Sequence, residues 1–180
     1  PSAALRARLA PQHTVYADEI DNLVSVADAS IDVALGLAGL HHSSSAARTL
    51  SEVFRVPVPG GQFGLCDVAP ASPVARWLNE FVNEHNPNGH DGHFIARERI
   101  EALLCETGYV DVHTSIESVP WHFAGDDDLL RFFAGLFGLQ CDAQTIAGGI
   151  ARYFDVARGD DGVTLDWSLI YARARTPDPA

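Results

Sequence analysis

The stretch from Ile31 to Asp67 constrains the fold more than any other. Ile31-Asp-Val-Ala-Leu-Gly-Leu37 is nearly all apolar, as expected of a parallel strand covered on both faces. Ser43, Ser44 or Ser45 can cap a following helix, and Leu50, Val53 and Phe54 then share one face of it as far as about Val56. Pro57, Pro59, Gly60 and Gly61 end that helix and turn the chain into a second buried strand, Gln62 to Asp67. Strand, helix and strand with short loops form a βαβ unit, whose crossover is right-handed almost without exception. In an open parallel sheet the ligand sits beyond the carboxyl ends of the strands, which places Leu37, Leu40-His41-His42 and Asp67 at a candidate site. No glycine-rich phosphate- or nucleoside-binding loop precedes this unit.

The 180 residues suffice for one domain, and 47% hydrophobic with 20% charged residues describes a globular chain rather than a disordered one. The charge is one-sided, with 24 acidic residues against 12 basic ones and a net charge of -12. All the basic residues are arginine, so Schiff-base chemistry through lysine is excluded. No basic cluster interrupts the acidic surface, which argues against nucleic acid as a partner. No apolar run is long enough to cross a bilayer and no signal peptide opens the chain, so no membrane partner is expected and cytoplasmic is the default location. Cys66, Cys105 and Cys141 read as separate buried thiols in a reducing compartment. The chain opens at Pro1 and contains no methionine, so either an initiator was removed or the polypeptide was cut from a longer one.

Residues 2–10 are helical in composition, and His13 to Ala17 is a short β-rich run ending at Asp18. Beyond Pro70, residues 73–85 form an amphipathic helix with Val74, Trp77, Leu78 and Phe81 on one side, followed by the loop 86–93. Residues 96–107 are a helix closed by Gly108, and 109–119 a strand. Asp126, Asp127 and Asp128 open an apolar helix over 129–139, and a further helix spans roughly 143–154. After a turn at Gly159-Asp-Asp-Gly162, residues 163–174 alternate as a last strand.

The motif Leu50-x-Glu52-x-x-Arg55-Val56-x-x-Pro59-Gly60-Gly61, with Ser30-Ile-Asp32-Val ahead of a strand and Leu40-His41-His42 after it, resembles the class I S-adenosylmethionine-dependent methyltransferases of the small-molecule type. The likeness runs in order along nearly the whole chain. It implies an α/β fold: a Rossmann-like methyltransferase sheet of order 3-2-1-4-5-7-6, here N-terminally incomplete, with the first two strands absent. The chain then reads as a single methyltransferase-like domain over 1–180. Segments 71–95 and 124–155 are helical or loop insertions forming a substrate lid, the second lying between the last two strands. The glycine-rich loop and the acidic residue that grips the cofactor ribose have no counterpart here. Their absence leaves the strand at 14–17 without neighbours and the strand at 31–37 as an apolar edge, so either the missing half is supplied elsewhere, or a homodimer or rearranged N-terminus covers the edge, or the chain is a fragment.

The resemblance implies methyl transfer from S-adenosylmethionine to a small-molecule acceptor. Asp18, with the backbone amide of Glu19, corresponds to the position that holds the adenine amino group, and Gly36 and Leu37 would face the cofactor. His41 or His42 could serve as general base or orient a nucleophile, with Asp67 of similar standing; each could equally be a structural cap. Trp77, His93, Trp121 and His122 are candidate walls of the acceptor pocket, although aromatic stripes are more often core. The alternative is a non-catalytic methyltransferase-like protein acting through protein–protein interaction or dimerisation. A third reading, in which His85, His90, Asp91 and His93 hold a metal, is outweighed by the glycines and proline of their loop, so no metal ligand is assigned. Ser43–Ser45 lie beside two histidines, but no G-x-S-x-G elbow is present and nucleophilic serine chemistry is not expected.

Overall fold

The computed structural model describes Arg8 and residues 12–179. The expected helix over 2–10 lies outside the described residues, apart from Arg8. Four strands form the main sheet: β1 (Ile31–Leu37), β2 (Pro57–Asp67), β3 (Val110–Glu117) and β7 (Leu169–Arg175), in the order β1-β2-β7-β3. β1 and β2 are parallel, and β7 runs antiparallel to both of its neighbours. Order and direction agree with positions 4-5-7-6 of the implied sheet.

Helix α1 (Ala46–Arg55) joins β1 to β2, and of the three serines it is Ser45 whose side chain accepts from the Arg48 amide as its N-cap. Ser43 and Ser44 point elsewhere, to Thr49 and Asp21. The Glu52 and Arg55 positions of the motif tie this helix to the segment before β1. Glu52 accepts from the Leu23 amide at 2.9 Å, while the Arg55 guanidinium reaches the carbonyls of Leu23 and Val26 and the carboxylate of Asp28. Their charge-assisted bonds hold the Glu52 carboxyl below its ordinary range and raise the Arg55 guanidinium further.

The chain does not turn at Pro57–Gly61. It stays extended, so that β2 starts at Pro57, with Gly60 taking a positive φ and the pairing with β1 slipping locally. Residues 13–17 form no strand, and the regular pairing nearest to them among the described residues is a single bridge, Glu19 to Asn22.

Among the described residues β1 is covered on one face only. On that face Ala34, Phe63, Leu65, Ala172 and Ala174 pack with α1 and α3 (Arg97–Thr107), around Leu50, Ile100 and Leu104. On the other face Leu35 and Leu37 are 81% and 75% exposed, opposite Gly64 and Cys66. The expectation of cover on both faces therefore fails. A largely apolar parallel strand thus has one face uncovered among the described residues.

Helix α2 runs through Pro73–Arg76 and Asn83–His85, with a π-helical turn at Trp77–Val82 between them. α3 ends at Gly108, which takes φ +108 as a left-handed cap. The chain between β3 and β7 is more than helical. Helices α4 (Asp126–Leu136) and α5 (Ala143–Tyr153) pack on a second sheet, ordered β4-β6-β5, made of β4 (Pro120–Phe123), β5 (Val156–Gly159) and β6 (Gly162–Asp166). The expected single strand over 163–174 is thus two strands in two sheets. The chain steps between them at Val119 and Trp167, whose backbones exchange both hydrogen bonds. A second core fills this half, with Trp77, Phe133, Leu129 and Leu165 fully buried. Cys66 and Cys141 are half-buried, but Cys105 is exposed on α3, and all three are free. Among the described residues no helix is long and apolar enough to cross a membrane.

Candidate functional site

The carboxyl ends of β1 and β2 bring together His41 and Asp67. Ala38, just past β1, adopts φ +45, and its amide bonds the Cys66 carbonyl at 2.8 Å, so the chain leaves the strand at a sharp angle into a 3₁₀ turn, Leu40–His42. This sets His41 inside, 3% exposed, against Asp67. His41 Nδ1 donates to Asp67 Oδ1 at 2.5 Å, and the His41 amide donates to Oδ2 at 3.0 Å. The Val68 amide also donates to Oδ1, at 2.7 Å. A buried carboxylate with three donors is satisfied and orients the imidazole. With Nδ1 bonded to Asp67, Nε2 is the other ring nitrogen of His41.

His42 packs on His41 with ring centroids 4.1 Å apart. His90 arrives from the loop after α2 and lies 5.5 Å from His41 and 5.2 Å from His42, again between centroids. Its Nδ1 bonds Asn79 Oδ1 at 2.8 Å. That oxygen also accepts from the Gly92 amide, while Asn79 Nδ2 donates to the Gly92 carbonyl, so the amide's orientation is determined by backbone groups. Asn79 Oδ1 being an acceptor, His90 Nδ1 is the protonated nitrogen and Nε2 carries the lone pair.

Burial and the neighbouring imidazoles push His90 down to about 4, with Asp91 opposing, and burial followed by His41 lowers His42, with Asp67 opposing. A histidine depressed in the folded state binds its proton later than in the unfolded chain. The unfolded state therefore holds more protons between pH 6.5 and about 4, and stability should fall as pH drops through that window. His90→Ala should lose less stability over the same window than the parent protein. Urea midpoints at neutral and acid pH check this, and parallel losses in the two proteins would contradict it.

A cavity of about 510 Å³ opens beside the histidines, lined by Leu37, Val68, Trp121, Trp167 and Tyr171 among others. Trp121 stacks on Trp167 at 4.4 Å and forms one wall. The other expected pocket residues lie apart from it. Trp77 is fully buried, stacked on Phe81 within the second core, because the apolar face of α2 turns inward. His122 is exposed on β4, bonded to Thr164. His93 is exposed, and it is its backbone amide that meets the site, donating to the His41 carbonyl at 2.9 Å. His85 packs on Phe81 at 4.4 Å, and Asp91 and His93 are exposed, so of the loop quartet only His90 joins the cluster.

Asp18 is occupied locally, its two oxygens accepting from the Ser25 amide at 2.7 Å and hydroxyl at 2.9 Å, while Glu19 pairs with Asn22. Gly36 faces Leu65, where an added Cβ would stand 3.1 Å from a methyl carbon. Reading the sequence did not single out Asn79, Trp167 or Tyr171. A lone asparagine beside an apolar helix face was the only available signal for the first.

No family model matches the chain, and no curated protein matches it by sequence. Solved structures do. The YcgJ protein of Bacillus subtilis aligns with a TM-score of 0.61 at 16% identity, covering 90% of this chain and 70% of that one. A SAM-dependent methyltransferase of Thermotoga maritima gives 0.53 at 14%, covering 88% and 62%. Phosphoethanolamine N-methyltransferase 2 of Haemonchus contortus, solved with phosphomonomethylethanolamine and S-adenosylhomocysteine, gives 0.53 at 15%, covering 85% of this chain and 35% of its own length. The chain therefore has the α/β fold of SAM-dependent methyltransferases.

Proposed function

We propose that the chain serves methyl transfer from S-adenosylmethionine to a small-molecule acceptor held in the cavity beside His41. The observation that carries this reading is the buried Asp67–His41 pair at the carboxyl ends of adjacent parallel strands, where ligands of open α/β sheets sit. The cavity has the size and aromatic lining of a small-molecule site. His41 Nε2 takes the proton of the acceptor's O–H or N–H, and Asp67 stabilises the cation formed. The tryptophan wall keeps water from the nucleophile.

The described residues do not complete a site for the methyl donor. The cleft along β1, about 410 Å³, is lined mostly by apolar residues such as Leu23, Ile31, Leu35 and Leu50, with the hydroxyls of Tyr16 and Thr49 its polar side-chain groups. No charged side chain lines it to meet an amino-acid headgroup, and Asp18 is already bonded. Such a lining suits packed polypeptide.

Acceptor-dependent release of S-adenosylhomocysteine, assayed over phenols, amines and carboxylates, tests the reaction. His41→Ala should lower the rate by about 10²–10⁴-fold, the usual worth of a general base. Release unchanged in that variant would refute the assigned role.

The exposed Leu35 and Leu37 beside the unpaired edge of β1 favour a second reading, a non-catalytic methyltransferase-like protein that associates as a homodimer through that edge. Sedimentation should then show a dimer, and Leu35→Glu a monomer whose own stability changes by no more than about 0.5 kcal/mol. A monomeric parent protein would end the dimer reading. Association accompanied by cofactor binding would favour the first reading over the second.

A further inference from the structure

Three imidazoles from two distant segments converge at one end of the acceptor cavity. The turn after β1 supplies His41 and His42, and the loop after α2 supplies His90. One ligating nitrogen from each lies within 4.8 Å of the others. We propose that His41, His42 and His90 bind one divalent transition-metal ion, with zinc the best match, and leave its fourth position open to the cavity.

The donor chemistry fits. Three histidines with one open position are the ligand set of a catalytic rather than a structural zinc site. Zinc–nitrogen bonds of about 2.0–2.1 Å place tetrahedral ligand atoms roughly 3.3 Å apart, so the three nitrogens must close by no more than about 1.5 Å. His42 is exposed and His90 lies on a loop, so both can make that movement while the buried His41 stays in place.

The surrounding groups are those that orient metal-binding histidines. Asp67 holds His41 Nδ1 and Asn79 holds His90 Nδ1, so both rings offer Nε2, as in carboxylate–histidine–metal triads. Asp67 and Asp91 supply negative charge nearby to offset the ion.

The open position would take water or the oxygen or nitrogen of an acceptor, which the ion would acidify directly. Metal binding itself does not depend on the methyl-transfer reading and is measured without the methyl donor. With an ion bound, His41 Nε2 is a ligand and the acceptor's proton leaves to solvent.

The test is titration of the untagged, metal-free 180-residue chain with Zn²⁺ by calorimetry, and with Co²⁺ by its visible absorption. One equivalent per chain is expected, with the intense absorption of tetrahedral Co²⁺. His42→Ala and His90→Ala, neither of which alters a fully buried residue, should each weaken binding at least tenfold. Asp67→Asn should weaken it about 10–100-fold through the orientation of His41. His122→Ala, a surface histidine of the second sheet, should leave it unchanged. Absence of a stoichiometric ion, or full affinity in both the His42 and His90 variants, would overturn the proposal.

Discussion

Asp67→Ala is expected to lower the free energy of unfolding by about 3–5 kcal/mol, because three buried donors lose their acceptor at once. The carboxylate accepts from His41 Nδ1, the His41 amide and the Val68 amide, and all three donors are buried. Alanine would leave them unsatisfied beside a cavity, and each orphaned donor costs about 1–3 kcal/mol. Against a typical total of about 5–15 kcal/mol this is a large fraction. Asp67→Asn keeps one acceptor oxygen but aims an amide donor at groups that themselves donate, so it should fall between alanine and the parent protein. Equilibrium urea unfolding measures both. A cost below about 1 kcal/mol for the alanine variant would mean that water enters and replaces the carboxylate, and that the site is open where it is drawn as closed.

Trp77→Ala should be about as costly, at roughly 3–5 kcal/mol, in the range of large-to-small changes in a close-packed core. Trp77 has no solvent exposure, stacks on Phe81 at 4.4 Å, and meets Phe133, Tyr153 and Phe154. It therefore joins α2 to α4 and α5, and removing it should loosen the whole second half. Its indole nitrogen is buried without a hydrogen-bond partner, so Trp77→Phe discards an unsatisfied donor along with some volume. That variant should cost less than about 1.5 kcal/mol, as expected of a near volume-conserving exchange. Thermal and urea unfolding of the pair separate a core role from a pocket role. A pocket wall would tolerate alanine and change ligand affinity.

The βαβ unit was legible in the sequence because its signals are local: a largely apolar seven-residue run, serines before a helix, and Asp67 closing a second strand. Gly108 was legible for the same reason, since only glycine takes its left-handed cap without strain. The division of 163–174 between two sheets was not. Apolar and polar residues continue to alternate across Trp167, and neither glycine nor proline marks the step, because the residue that makes it is itself buried in the second core. The bare face of β1 was also hidden. Composition records what a strand was selected to pack against, while exposure depends on which layers are present.

At the site, His41, His42 and Asp67 could be named because strand ends locate ligands in this kind of sheet. The approach of His90 could not, since it depends on tertiary packing that brings the loop after α2 across to the turn after β1. Trp77 and Trp121 look alike in sequence, but only Trp121 lies on a cavity.

The proposed functional site lies at the carboxyl end of β1, where the His41 cluster meets the acceptor cavity. The most direct measurement is an NMR titration of the chain with S-adenosylhomocysteine, following the amides of Gly36, Leu37, His41 and His42 and the rings of His41, His42 and His90. The expected result is weak binding in fast exchange with shifts concentrated at these residues, because the strand end is in place while the described lining of the cleft offers no charged partner for the amino-acid group. No shift at saturating ligand, or shifts confined to the second sheet around His122, would contradict it.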